Sequence, residues 1–239
     1  MAASKLNQFV IFPTGETLKR TQSAFKAVTR IPGIAGCIDC THVKVFVNEA
    51  RKNSFYDRKG VTSLNIQAVC DQNYKFTSLY AGWPGSTHDS FILQHSDLFR
   101  KFEEREYECI LLGDSGYGNG KFWLLTPFLE PETDAEKNYN YHQKKGRVFI
   151  EQAFGQAKRR FRGMLDGFRT SPERAQIATV ASMILHNIAK DRNQPDSFDD
   201  TKPEDFLPES DLISSGISVH QNAIHDGKLF RRHVVNSYF

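Results

Sequence analysis

The chain has 239 residues, of which 39% are hydrophobic and 25% are charged, and its formal net charge is +3. This length is sufficient for one α/β domain with a sizeable core, and so small a net charge does not by itself indicate a nucleic-acid partner. No apolar run is long enough to span a membrane and the N-terminus lacks a secretory apolar segment, so an intracellular protein is predicted.

Residues 1–32 are predicted to form a lead-in with one helix, which runs from Glu16 to about Val28 and ends before Pro32. Branched apolar residues then mark residues 33–47 as a β-strand, with Asp39 in its middle. A carboxylate within an apolar strand is costly unless it is paired or binds a metal, although backbone amides satisfy many single examples.

Cys37 and Cys40 form a C-x-x-C pair on this strand, a spacing that suggests zinc or a redox pair. No second pair of ligands follows at the spacing of a zinc finger, and residues three apart on a strand point to opposite faces. Buried reduced thiols are therefore predicted at these positions.

Residues 64–71 and 74–83 are predicted to form two strands joined by a tight turn. His88 and Asp89 then open a helix that extends towards Phe99. Asp89 in the first turn of this helix complements the helix dipole. The His-Asp pair also resembles half of a metal-phosphohydrolase motif, but no partner histidines occur at a suitable spacing.

A short apolar run at residues 108–113 is predicted to be a buried strand, and Asp114 follows it immediately. Ligands of open α/β sheets bind at the carboxyl ends of the strands, so Asp114 occupies a position typical of a functional acid. Further core positions are predicted at Trp123, Leu124, Leu125 and Phe128.

Residues 129–146 are predicted to be a polar connector, mobile near its middle, that leads into an amphipathic helix from Arg147 to Arg162. Glu151 lies near the start of that helix and, taken alone, is best explained as a solvated salt-bridge partner. Nine basic and three acidic residues lie between Lys144 and Arg174, which predicts a localised basic face. The helix ends in a basic cluster formed by Lys158, Arg159, Arg160 and Arg162.

A second long helix is predicted from Pro172 to about Lys190, with His186 and Asn187 as capping or packing residues rather than ligands. Residues 191–239 contain nine acidic and five basic residues and are predicted to be an acidic, partly disordered tail.

Eight sequence blocks occur in the order found in one known family. The most specific are GCIDCTHV around Asp39, AGWPGSTHDS around Asp89, LLGDSGY around Asp114 and EQAFGQAKRRFR from Glu151. Together with YDRKGVTSLNIQAVCD, WLLTPF, YNYH and LHNIA, they resemble the PIF/Harbinger-type DDE transposase family and its domesticated, harbinger-derived nucleases. The likeness covers residues 9–190.

The resemblance implies an α/β ribonuclease H-like core over residues 33–190, a mixed five-stranded sheet flanked by helices, with added helices around it. It implies that Asp39, Asp114 and Glu151 are the catalytic triad and that Asp89 is a further metal ligand. Family transposases commonly have Gly where this chain has Cys40, which the domesticated relatives share. Only 38 residues precede Asp39, so the N-terminal DNA-binding segment of full transposases is expected to be missing.

The expected function is that of a nuclear DNA endonuclease, with the cytoplasm as a second location. Converging carboxylates repel one another and suit a hard divalent cation, Mg²⁺ or Mn²⁺, that supports phosphodiester cleavage and strand transfer. Lys158, Arg159, Arg160 and Arg162 are predicted to hold the DNA backbone. The resemblance further implies a Myb/SANT-like partner protein and possible homo-oligomers. The alternative is a catalytically silent scaffold that binds DNA or that partner.

Overall fold

The computed structural model describes residues 8–118, 120–195 and 221–239, without the side chains of residues 221–226. Five strands alternate with eight helices in this part of the chain. In order, the elements are α1 Gly15–Thr29, β1 Ile34–Lys44, α2 Lys52–Phe55, β2 Ser63–Cys70, β3 Phe76–Pro84, α3 Asp89–Gln94, α4 Asp97–Glu103, β4 Ile110–Leu112, β5 Leu124–Leu125, α5 Asp134–Arg160, α6 Arg162–Asp166, α7 Pro172–Asp191 and α8 Gln221–Tyr238.

The five strands form one mixed sheet in the order β3-β2-β1-β4-β5. β1, β2 and β3 pair in antiparallel fashion, whereas β4 lies parallel to β1 and β5 lies parallel to β4. Both faces of the sheet are covered by helices, and each face has its own buried apolar cluster. β1 contributes Cys37 to one cluster and Ile38 to the other. This arrangement confirms the predicted α/β fold with a mixed five-stranded sheet flanked by helices, and it confirms the predicted β2–β3 hairpin.

The two cysteines of the C-x-x-C pair lie on opposite faces of β1, as their spacing predicts. Cys37 belongs to the cluster beneath α5, and its thiol donates a hydrogen bond to the Gly146 carbonyl at 2.8 Å. Cys40 packs with the other cluster, and its sulfur lies 3.3 Å from the Tyr117 hydroxyl. All four cysteines are free thiols.

The polar connector predicted for residues 129–146 is wrong from Asp134 onwards, because α5 begins there and continues to Arg160. A capping box starts it: the Thr133 hydroxyl accepts a hydrogen bond from the Glu136 amide, and the Glu136 carboxylate accepts one from the Thr133 amide. Most residues in this half of the helix are polar, so the sequence did not indicate which of its side chains are buried. Tyr139 is fully buried and donates a hydrogen bond to the Thr126 carbonyl.

Glycine at position 146 lets α5 lie close against the sheet. A Cβ added there would collide with the Leu112 side chain of β4 and would lie 2.8 Å from a methyl group of Thr29 in α1. The close approach places the following turn of α5, which carries Arg147 and Glu151, over β1.

The single helix predicted from His88 towards Phe99 is two short helices, α3 and α4. α3 ends at Gln94, and α4 starts at Asp97 with Ser96 as its N-cap. The Ser96 hydroxyl accepts a hydrogen bond from the Phe99 amide, so a local cap interrupts the apolar pattern of one longer helix.

α7 confirms the second predicted long helix and the predicted packing role of its last turns. His186 and Asn187 are buried and bond to the backbone around the start of β3. Two apolar residues of this helix, Ile177 and Leu185, face solvent with 65% and 51% exposure.

The sequence showed no helical period after residue 219, yet the structure contains α8. Val234 and Val235 enter the core, and the buried Arg231 guanidinium donates a hydrogen bond to the Pro127 carbonyl at 2.9 Å and lies over the Phe128 ring. Residues 196–220, the most acidic part of the predicted tail, lie outside the described residues. The division into residues 1–32, 33–190 and 191–239 stays a prediction. Within the described ranges, no helix combines the length and the apolar character needed to cross a membrane.

Candidate metal centre

The parallel pairing of β1 and β4 brings two acids side by side. Cys37 of β1 pairs with Leu112 of β4, and an aspartate follows two residues later in each chain segment: Asp39 within β1, and Asp114 just beyond the end of β4. Because the two chains run in the same direction, both carboxylates reach the same end of the sheet. Neither element alone creates this proximity.

A third acid, Asp89, reaches the same point from the first residue of α3. Carboxylate oxygens of Asp39, Asp89 and Asp114 all lie within 4.8 Å of one another, and all three residues are half-buried. Asn65 of β2 holds Asp89 in place, because its Nδ2 donates hydrogen bonds to Asp89 Oδ1 at 2.9 Å and to the Thr87 carbonyl at 3.0 Å.

Neutral donors anchor the other two carboxylates as well. Asp39 Oδ1 accepts a hydrogen bond from the Cys40 amide at 2.7 Å. Asp114 caps a single 3₁₀ turn, Ser115–Tyr117, and its Oδ1 accepts a hydrogen bond from the Gly116 amide at 3.0 Å. Such anchoring fixes the orientation of the acids and reduces the cost of assembling the site when a ligand binds.

The three carboxylates repel one another strongly. Burial and the neighbouring Asp114 carboxylate raise the pKa of Asp39 to about 8, with Asp89 adding to the rise and Arg147 opposing it. Charges about 4 Å apart repel by roughly 4 kcal/mol at an effective dielectric constant near 20. A proton or a cation between these oxygens removes that repulsion.

The ligand atoms available here fit a hard divalent cation. Three carboxylates supply oxygen ligands of the kind that Mg²⁺ and Mn²⁺ prefer. Cys40 follows Asp39 in the chain and offers a soft sulfur, but burial, together with the neighbouring Asp89, raises the pKa of this thiol well above its usual value. A protonated thiol is a poor zinc ligand, so the cluster is suited to an oxygen-bound ion.

Glu151 lies on α5 beside this cluster but is not one of the three acids that meet. Its Oε1 lies 3.5 Å from an Nη atom of Arg147, one helical turn earlier. Both residues act electrostatically on Cys37, and Arg147 also lowers the pKa of Asp39, so the pair stands close to the acids. The role of Glu151 as a catalytic residue and fourth ligand stays a prediction.

The predicted basic cluster does not form one uniform face. Lys158 turns towards the site, where its Nζ donates a hydrogen bond to the His42 carbonyl at 3.0 Å. Arg160 instead donates to the Pro195 carbonyl, and Arg162 bonds both oxygens of Asp166. Arg159 is half-buried. The DNA-binding role of these four residues stays a prediction.

Asn65 is the main functional residue that sequence reasoning missed. It is 1% exposed, and the only signal in the sequence is an amide side chain in a buried strand, a signal that Gln67 of the same strand shares. Such a residue needs a hydrogen-bond partner, but the sequence does not say which one. The partner, Asp89, is 24 residues away.

A family model for the DDE superfamily endonuclease matches residues 38–187. The chain belongs to this family. The match includes every acid of the candidate centre and confirms the resemblance found in the sequence.

Curated relatives of this DDE endonuclease domain include Putative nuclease HARBI1 from Bos taurus, 37% identical over 77% of the chain, and its Homo sapiens counterpart, 36% identical over 77%. A plant relative, Protein ALP1-like from Arabidopsis thaliana, is 27% identical over 73% of the chain. The chain spans about half the length of these relatives, 54% of the first two and 47% of the third. No solved structure gives a significant match.

Proposed function

We propose that this protein is a divalent-metal-dependent nuclease that cleaves phosphodiester bonds of DNA. The observation that carries the proposal is the meeting of Asp39, Asp89 and Asp114 from three separate elements, with oxygens within 4.8 Å of one another. A purely structural role does not explain three half-buried carboxylates in mutual repulsion. The family and the relatives named as nucleases support the same activity.

Each residue of the candidate metal centre has a separate proposed role. Asp39, Asp89 and Asp114 hold the cation, and Asn65 keeps Asp89 oriented towards the other two acids. When bound, Mg²⁺ or Mn²⁺ supplies an activated water and neutralises charge on the phosphate. Glu151, on the adjacent face of α5, completes the predicted catalytic set with Asp39 and Asp114, and Arg147 holds its carboxylate.

Of the predicted DNA-binding residues Lys158, Arg159, Arg160 and Arg162, Lys158 is proposed to contact the DNA backbone beside the acids, with Arg159 and Arg160 next to it. Arg162 is proposed to stay bound to Asp166 instead. Burial and the nearby Lys59 lower the pKa of Lys158, which means that its charged form is disfavoured in the free protein. A phosphate beside it would compensate that cost. A nuclear location, a Myb/SANT-like partner, assembly into homo-oligomers and strand transfer remain proposals based on the sequence resemblance.

The proposal is tested with supercoiled plasmid DNA and the purified chain. We expect nicking with Mn²⁺ or Mg²⁺, complete inhibition by EDTA, and no nicking by Asp39→Asn prepared in parallel. Calorimetric titration with Mn²⁺ separates this function from the silent-scaffold alternative. A protein that binds no Mn²⁺ and nicks no DNA would be a scaffold.

The contribution of Lys158 to DNA binding gives a separate prediction. Each neutralised phosphate contributes about 0.9 to the slope of log K against log salt concentration, so Lys158→Ala should reduce that slope by about 0.9. Arg162→Ala is the matched control, and the slope should stay nearly unchanged because the Arg162 guanidinium already bonds Asp166. Equal slope changes for the two variants, measured by fluorescence anisotropy with a short duplex, would contradict this assignment.

A further inference from the structure

His42 and two polar partners form a hydrogen-bonded chain beside the candidate metal centre. His42 Nδ1 lies 3.0 Å from the Ser63 hydroxyl, and that hydroxyl donates a hydrogen bond to Asp57 Oδ2 at 3.1 Å. Ser63 is fully buried, whereas the His42 side chain is 42% exposed. A Cβ added at Gly85 would collide with the Ser63 hydroxyl, so the turn at Gly85 confines that hydroxyl.

The direction of each hydrogen bond fixes the tautomer of His42. Burial raises the pKa of Asp57, but hydrogen bonds from the Val61 amide, the Ser63 hydroxyl and the Lys59 amide outweigh it and lower the pKa overall. An ionised carboxylate only accepts, so the single proton of Ser63 goes to Asp57. Nδ1 of His42 must then be the donor to Ser63, and in the neutral ring Nε2 carries no proton.

The accessible nitrogen of His42 is therefore Nε2. Nδ1 points inward to a fully buried hydroxyl, and the exposed part of the ring is the opposite edge. Because the hydrogen bond at Nδ1 sets the ring plane, Nε2 keeps a fixed direction at the surface.

His42 lies between the acidic cluster and the basic end of α5. On β1 it pairs with Asn65 of β2, the residue that donates to Asp89. Its carbonyl oxygen accepts the hydrogen bond from Lys158. The His42 ring is close enough to Asp89 and to Lys158 that both charges act on its pKa. A DNA strand that reaches from Asp89 to Lys158 would therefore run beside this ring.

The charges around the ring leave it neutral in the free protein. Burial lowers the pKa of His42 most; Asp57 and Asp89 raise it, and Lys158 and Arg58 lower it further. These groups come from the loop before β2, from α3 and from α5. A neutral Nε2 and a phosphate oxygen are both acceptors, so close contact between them requires a proton.

We propose that His42 is a DNA-binding residue of this site, whose Nε2 takes up a proton from solvent and then donates a hydrogen bond to the backbone phosphate next to the one at the acids. This rests on the proposed function, since it assumes that DNA lies across the acidic cluster. Ser63 and Asp57 are positioning residues, because they act through the orientation of the ring. Binding should then take up protons and become tighter as the pH falls.

The experiment measures the affinity of the full chain for a short duplex, in EDTA so that no cleavage occurs, between pH 6 and pH 8. The wild type should bind about tenfold more tightly at pH 6 than at pH 8, as expected for one charge-assisted hydrogen bond. His42→Asn keeps a donor for Ser63 but has no group at Nε2, and its affinity should depend much less on pH than that of the wild type, with only the protonation of Asp39 left to contribute. His42→Gln places an amide near Nε2 and should recover part of the affinity without restoring the wild-type pH dependence.

His95→Asn is the matched control, because His95 is also exposed and also bonds through Nδ1, in its case to the Phe91 carbonyl. This variant should keep the wild-type pH dependence. Calorimetry in two buffers with different ionisation enthalpies should show greater proton uptake on binding by the wild type than by His42→Asn. Thermal unfolding of each variant identifies any loss of fold.

Two results distinguish a failure of the His42 proposal from a failure of the nuclease proposal. If the wild type nicks DNA but the affinity of His42→Asn equals that of the wild type at every pH, the His42 proposal is wrong and the nuclease proposal stands. If the wild type nicks no DNA yet its duplex binding shows a pH dependence that His42→Asn greatly reduces, the nuclease proposal is wrong and His42 is still a phosphate contact. An absence of duplex binding at pH 6 would overturn the role of His42.

Discussion

Asp114→Asn should reduce DNA cleavage by roughly a thousandfold or more, since removing one member of a charged catalytic set typically costs this much. The amide is nearly isosteric with the carboxylate, and it retains an oxygen to accept the Gly116 amide hydrogen bond. What it removes is the charge beside Asp39 and Asp89. The loss should therefore appear in cleavage and metal binding rather than in folding.

Measurements of thermal stability test the predicted loss of metal binding in Asp114→Asn. A ligand at one hundred times its Kd stabilises the folded state by about 2.7 kcal/mol, so Mn²⁺ should raise the melting temperature of the wild type. Asp114→Asn should lose most of that increase, while its metal-free stability should equal or exceed that of the wild type because a repulsion is gone. Asp97→Asn, the same change at an exposed acid of α4, should preserve both cleavage and the Mn²⁺ effect. Wild-type cleavage by Asp114→Asn would rule out this acid as part of the centre.

Asn187→Ala should lower the free energy of unfolding by about 3–5 kcal/mol, because it leaves several buried backbone groups without partners. The Asn187 side chain is 1% exposed. Its Oδ1 accepts a hydrogen bond from the Phe76 amide, and its Nδ2 donates to the carbonyls of Phe76 and Phe9. One amide thus joins α7 to the edge strand β3 and to the N-terminal segment.

Gln176→Ala provides the comparison for Asn187. Gln176 belongs to the same helix, and its half-buried amide donates a single hydrogen bond to the Ala81 carbonyl of β3. Its loss should cost about 1 kcal/mol, the usual net value of one hydrogen bond. Urea unfolding measures the free energy of unfolding of both variants. A similar loss for the two would show that the hydrogen bonds of Asn187 stabilise the fold no more than the single bond of Gln176.

The local elements of the candidate site follow from the sequence. The strand around Asp39, the hairpin after it and the buried strand that precedes Asp114 all have an apolar pattern and turn residues that point to one structure. α5 shows where such reasoning fails. Tyr139 and Gln143 belong to a segment that looks polar, yet both are buried because the helix lies against β4 and β5. Burial of this kind depends on a partner surface, which no local pattern contains.

The sequence by itself determined the fold class, the positions of Asp39, Asp89 and Asp114 on their elements, and the family to which the chain belongs. The tertiary structure decided which acids meet, because Asp39, Asp89 and Asp114 come together only through the parallel pairing of β1 with β4 and the hydrogen bond from Asn65 to Asp89. It also decided that Glu151 faces Arg147 and that Lys158 bonds to the His42 carbonyl of β1. Local patterns arise from neighbours along the chain, whereas these contacts depend on distances between residues far apart in it.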